Sequence, residues 1–233
     1  MSVERYSIKD VRSLIDWSYF YHAWKVSRSN VPGELLGDAD KMLDVWGDEP
    51  VCQALVEQFS AHSDGDNIII GDTRLPMLRQ QSEPYLCLAD FIHPERDTVS
   101  LFATSVSADL PHLDDDDPYQ RMLAQTLADR LAEATAEQMN AHHPGLRPAI
   151  GYPCLPDMSL NFIIDKLINL QRIGITLTES GAMRPHASVC GLIIGHPLAR
   201  YFAIGPIGHD QRADYAQRRG LPANELNRFL PQN

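Results

Sequence analysis

Pro118 to Met139 carries the clearest helical pattern of the chain. Met122, Leu123, Thr126, Leu127, Leu131 and Ala134 recur at i, i+3, i+4 spacing and form an apolar stripe that must be buried. Asp117 and Pro118 suit the N-cap and first turn, and the acidic run Asp114–Asp117 suits a helix N-terminus better than a calcium loop, since no EF-hand spacing surrounds it. Pro144–Gly145 ends the pattern. Asp129, Arg130, Glu133 and Glu137 stand beside the stripe at ion-pair spacing, where such charges ordinarily form a solvated face.

A helix of this length needs a partner layer, and the rest of the chain supplies one in groups. On the N-terminal side, Ser7 and Asp10 have the spacing of a capping box ahead of Val11, Leu14 and Ile15, and the aromatic-rich stretch Trp17–Trp24 follows. Ala39 to Phe59 reads as helix in two pieces, broken near Gly47 and Pro50. Strands are expected at Asn67–Ile70, Tyr85–Phe91, Val99–Val106, Ile175–Thr178, Ser188–Ile194 and Arg200–Ile204. Leu160–Leu170 reads as helix, and two small helices close the chain, the first ending at Gly220 and the second opening after Pro222. Helices and strands in separate groups favour an α+β fold with a mainly antiparallel sheet. No G-x-G-x-x-G follows a strand, so a dinucleotide site of the Rossmann kind has no support.

The bulk numbers narrow the function. At 233 residues with 44% hydrophobic content the chain can bury a real core without staples, and one domain spanning 1–233 is expected. A formal charge of −11 argues against nucleic acid and anionic membranes as partners. There is no run of membrane-span length, and Met1–Arg12 is polar, so a cytoplasmic location is expected. Cys52, Cys87, Cys154 and Cys190 lie far apart, as reduced core cysteines do, and the nine His show no ligand spacing, so no metal site is expected.

Arg147–Pro156, R-P-A-I-G-Y-P-C-L-P, is the most distinctive stretch for chemistry. Pro148 and Pro153 stiffen the backbone and Gly151 lets it approach a ligand closely, while the Arg fork matches a carboxylate. Taken alone, such a stretch is more often an ordinary surface loop.

The chain resembles a known family in a series of co-linear segments: I-D-W at Ile15–Trp17, M-L-D at Met42–Asp44, L-R-Q-Q at Leu78–Gln81, C-L-A-D-F at Cys87–Phe91 and L-A-D-R-L-A-E-A at Leu127–Ala134. These continue as R-P-A-x-G-Y-P at Arg147–Pro153, L-T-E-S-x-A-M-x-P at Leu177–Pro185, A-S-V-x-G at Ala187–Gly191 and H-P near Tyr201. The family is the C-terminal, S-adenosylmethionine-binding activation domain of cobalamin-dependent methionine synthase. The resemblance implies a C-shaped α+β domain with a twisted antiparallel sheet. It implies a shallow S-adenosylmethionine site, from which a methyl group and an electron from a flavodoxin-type donor regenerate methylcobalamin on a partner module. The domain would be part of a methyltransferase without supplying catalytic residues of its own.

Carried over by motif, Arg147 is expected to receive the methionine carboxylate and Asp16 the cationic methionyl end, with Glu133 in support. Ala149, Gly151 and Tyr152 are expected at the nucleoside, and Tyr201 with Phe202 on the opposite wall. Without the resemblance, Asp16 reads as an exposed helix carboxylate, Glu133 as a helix ion-pair partner, and Tyr201 and Phe202 as core-facing strand residues. The chain departs from the family after Pro153: where A-C-P-[DE]-H-T-E-K is usual, Cys154–Asn161 reads C-L-P-D-M-S-L-N, and Arg184 replaces an aromatic. Asp157 and Met158 thereby fall on the loop that the resemblance turns towards cobalamin. The upstream modules of methionine synthase do not fit in 233 residues, so a subunit, a stand-alone relative and a piece of a longer chain are all consistent. The alternative function is a non-catalytic S-adenosylmethionine-binding or structural adaptor for another corrinoid protein.

Overall fold

In the computed structural model, which describes residues 3–47, 50–107, 110 and 117–231, a six-stranded antiparallel sheet is built around one long strand. That strand, β2 (Cys52–Asp64), follows β1 (Val3–Tyr6) and precedes β3 (Asn67–Ile70), β4 (Thr73–Pro76) and β5 (Asp97–Val106). A short pair, β6 (Thr176–Leu177) with β7 (Met183–Arg184), stands apart, and β8 (Ser188–Ile193) closes the large sheet. One edge of β2 pairs with β5, in register Phe59 with Val99 and Cys52 with Val106. Its other edge is shared, by β1 at Cys52–Leu55 and by β3 at Ala61–Asp64.

β2 corrects the expectation of a second helical piece after Pro50. Gln53, Ala54, Leu55 and Glu57 suit helices, yet a segment paired along both edges gains ladder bonds and cross-strand packing that outweigh local propensity. Tyr85–Phe91 likewise forms no strand; it makes a turn and a 3-10 segment, Leu88–Phe91. Arg79 sets this geometry, donating to the Tyr85 carbonyl and to both Asp90 oxygens, while Asp90 also accepts from the Cys87 N–H. Asn67–Ile70, the Val99–Val106 stretch, the capping box at Ser7 and the cap at Asp117 stand as expected, whereas Asp114–Asp116 lie outside the described residues.

Helices cover both faces of the sheet. On one lie α1 (Ile8–Val11), α2 (Trp17–Ala23), α3 (Gly33–Trp46) and the long α4 (Pro118–His142), burying Phe20, Met42, Leu127 and Leu131 against Phe102. On the other lies α5 (Leu160–Ile168), burying Ile164 and Ile168 against Leu55, Leu101 and Leu192. β5 shows the consequence in its alternation: Leu101 and Ala103 serve one core and Phe102 the other. Its buried hydroxyls are satisfied across the layers, Thr104 donating to Ala132 O of α4 and Ser105 to Ile173 O. A smaller third core gathers Tyr215 and Ala216 of α6 (His209–Arg219) and Leu226 of α7 (Ala223–Leu226).

All four cysteines are buried and unbridged. Burial pushes their thiols up, to about 11 for Cys52 and Cys154 and about 12 for Cys87, so they remain protonated core residues. Among the described residues no helix is long and apolar enough to cross a membrane, and no His/Cys/Asp/Glu group has the geometry to hold a metal ion.

Candidate functional site

The stretch carrying Arg147 runs alongside β8 as an informal extra strand. Leu146 and Ile194 exchange both backbone bonds, Ile150 N–H donates to Cys190 O, and Leu192 N–H donates to Pro148 O. Gly191 makes this approach possible, because a Cβ there would sit 2.1 Å from Pro148 O. Gly151 then turns the chain with φ at +93°, and Tyr152 N–H and Leu155 N–H close the turn on Ala149 O and Tyr152 O. The motif is a braced loop, held by backbone bonds on one side and by α4 on the other.

This bracing places Arg147 at the floor of a groove between α2 and α4. Its side chain is only 9% exposed, with the guanidinium over the Phe102 ring at 5.5 Å. Glu133 and Glu137, one turn apart on α4, each approach it at 3.5 Å. These separations give Coulombic attraction without good hydrogen bonds, and Arg147 Nε and Nη1 are buried with no hydrogen-bond partner. An unsatisfied buried guanidinium is expensive, and one that borders a groove has donors available to a ligand.

The groove has a volume of about 450 Å³, within the range of about 300–1,000 Å³ usual for small-molecule sites. Asp16 and Tyr19 form one wall, and Arg130, Glu133 and Glu137 the other, with Tyr152 and Pro153 at the loop end. Asp16 caps α2 through the Ser18 N–H, which fixes its carboxylate at the rim. Tyr152 donates its hydroxyl to both Glu133 oxygens at 3.1 and 3.2 Å. Burial first, and the Glu133 carboxylate second, raise the Tyr152 hydroxyl well above its usual value, so it stays a donor. Arg130 stacks over Tyr19 at 5.3 Å, bridging the walls.

Of the expected site residues, Asp16, Glu133, Arg147 and Tyr152 converge on this groove. Gly151 sits in the adjoining turn, and the Ala149 side chain is buried in the core. Tyr201 donates to Arg147 O and its ring lies 6.1 Å from Tyr152, next to the groove and not on its wall. Phe202 packs between two cores, and Arg200–Ile204 forms no strand; Ile204 N–H bonds Pro153 O, so the segment buttresses the loop.

Asp157, on the loop that the resemblance turns towards cobalamin, has a buried side chain, 1% exposed, accepting from Ser159 N–H and Oγ, from Tyr215 Oη at 2.8 Å and from Arg219 Nε at 3.0 Å. Met158 is half-buried, with its N–H on Phe229 O and its carbonyl beneath Gly181. Its charge is neutralised by Arg219 of α6, 62 residues further along the chain, which no local pattern announces.

Arg130, Glu137 and Tyr19 were missed. The spacing signal for the first two was present, since 130, 133, 134 and 137 share one helix face, yet that face read as solvated.

Comparison with known proteins gives two findings. The family model described as "Vitamin B12 dependent methionine synthase, activation domain" matches residues 7–143 and 139–220. The structure titled "Crystal Structure of the MetH Reactivation Domain bound to AdoHcy" superposes with a TM-score of 0.82 at 28% identity, covering 100% of this chain and 90% of that one.

Proposed function

This chain belongs to the family of vitamin B12-dependent methionine synthase activation domains, and from that premise we propose that it holds S-adenosylmethionine in the Arg147 groove for the reactivation of a partner's cobalamin. The single observation carrying this is the buried, under-bonded guanidinium of Arg147 at the floor of a ligand-sized groove. The relative bound to AdoHcy supports the same ligand class.

In this reading Arg147 receives the amino-acid carboxylate, a charge-assisted contact worth about 1.5–3 kcal/mol. Asp16 faces the cationic methionyl end from the rim, and Glu133, locked by Tyr152, holds Arg147 in position. Gly151 and Tyr152 meet the nucleoside, with Tyr201 beside them. The bound sulfonium would supply a methyl group by breaking its S–CH3 bond: with one electron from an external donor, the partner's cob(II) form would become methylcobalamin and S-adenosylhomocysteine would leave as the neutral thioether. The chain's own contribution is orientation and the exclusion of water from the methionyl end. A cobalamin-bearing module is the partner, and a flavodoxin-type protein is the electron donor.

Two measurements test this. Calorimetric titration should show S-adenosylmethionine binding that Arg147→Ala weakens about tenfold or more. Mixed with a cob(II)alamin-loaded partner, a reductant and methyl-labelled S-adenosylmethionine, the protein should move label to cobalamin. Binding without label transfer would instead favour the adaptor function.

A further inference from the structure

The charges lining the groove do not balance. Three carboxylates, Asp16, Glu133 and Glu137, face two guanidinium groups, Arg130 and Arg147. Two of those carboxylates already flank Arg147 at 3.5 Å, and Arg130 is engaged with the Tyr19 ring. A ligand carboxylate arriving at Arg147 therefore becomes the third anion around one buried cation. Such an arrangement favours a ligand that brings positive charge of its own beyond a single ammonium.

From this imbalance we propose that Glu137 is a specificity-determining residue, selecting cationic sulfonium ligands over their neutral thioether counterparts. The inference rests on the proposed S-adenosylmethionine site and deepens it. S-adenosylmethionine carries a carboxylate, an ammonium and a sulfonium, and so a net positive charge. S-adenosylhomocysteine lacks the sulfonium and is a net-neutral zwitterion. Each meets Arg147 through the same carboxylate, so the discrimination comes from the surplus acid.

Glu133 cannot tune this independently, because Tyr152 donates to both of its oxygens. Glu137 makes no such commitment. Its side chain is 58% exposed, its one ion pair among the described residues is the long contact to Arg147, and it lies one helical turn from Glu133 on the groove wall. It is the acidic group best able to swing from Arg147 to an incoming cation. A carboxylate this exposed is screened by solvent, so its effect on affinity is severalfold and not several orders of magnitude.

The test is calorimetric titration of the wild-type protein and Glu137→Gln with three ligands at low and moderate salt. These are S-adenosylmethionine, S-adenosylhomocysteine and sinefungin, whose amine replaces the sulfonium with another cation. The wild type should prefer both cationic ligands. Glu137→Gln should weaken those two about threefold while leaving S-adenosylhomocysteine unchanged or tighter, and the difference should shrink with salt. An equal shift for all three ligands, or none, overturns the role of Glu137 while leaving the binding site standing. Failure of the wild type to bind any of them overturns the site and this inference together. Glu137→Asp, which retains the charge on a shorter arm, should keep the cationic preference; its loss there would point to shape and also overturn the proposal.

Discussion

Two arginine side chains lie buried in this molecule beside a carboxylate and a tyrosine, and only one of the two makes a close hydrogen bond to its carboxylate. Arg219 reaches Asp157 at 3.0 Å and Ser159 Oγ at 2.6 Å, while Tyr215 Oη donates to the same carboxylate at 2.8 Å. Arg147 stands 3.5 Å from Glu133, whose Tyr152 partner is also longer, at 3.1 Å. The composition of the two triads is nearly the same, and each borders a cleft, of about 480 Å³ beside Arg219 and Ser159 and about 450 Å³ at Arg147, so what separates them is the bonding. The tight triad ties α6 to the loop after Pro153, whereas the slack one keeps donor capacity in reserve. A buried cation with unused donors beside a groove is a candidate site, whereas one bonded to its carboxylate at 3.0 Å acts as a joint.

The largest effect that would break this contrast is on stability. Arg219→Met removes the cation paired with Asp157, which stays 1% exposed with only Ser159 and Tyr215 as donors, and should cost about 3–5 kcal/mol in urea unfolding. Arg147→Met should cost clearly less, because Glu133 and Glu137 retain access to water at 27% and 58% exposure. Equal losses would mean that the slack pair is a structural joint after all.

Next in size is the tyrosine pair. Tyr215→Phe removes a donor from Asp157 and from the Pro76 carbonyl, both in the interior, and should cost about 1–3 kcal/mol. Tyr152→Phe should cost about 1 kcal/mol or less, and should show mainly as weaker S-adenosylmethionine binding once Glu133 is released.

Alkaline titration has the smallest effect near neutral pH and the sign is fixed. The folded state holds the protons of Cys52, Cys87 and Cys154 to about 11–12 against an ordinary thiol value of 9.0. Tyr152 and Tyr215 are raised as well, in both cases first by burial. Groups with raised values favour folding fully below their unfolded pKa and lose that contribution as pH rises towards the folded one. Unfolding free energy should therefore be insensitive to these groups below about pH 8 and fall progressively above pH 9. Tyr152→Phe and Tyr215→Phe should each soften the fall above pH 10, and a flat profile would contradict the burial of all five groups.

Legibility followed the range of the interactions involved. Ser7, Asp117, Pro118 and Gly220 act within one turn of their own helix, so capping chemistry located α1, α4 and the end of α6 correctly. Cys52–Phe59 was misread because its strand state depends on partners about 50 residues away on β5 and β1. At the site, the motif around Arg147 was legible because its stiffness is local. The roles of Glu137 and Arg130 were not, since a charged helix face looks the same whether it meets water or a groove wall.

By itself the amino-acid sequence determined the α+β class, the long helix, the braced Arg147 turn and, through its co-linear motifs, the family. Only the tertiary structure decided that Asp157 turns inward to Arg219 while Arg147 is left with unused donors. The reason is physical: propensity, caps and turns are set by neighbours in the chain, but whether a buried charge is satisfied depends on side chains that only folding brings within 3 Å.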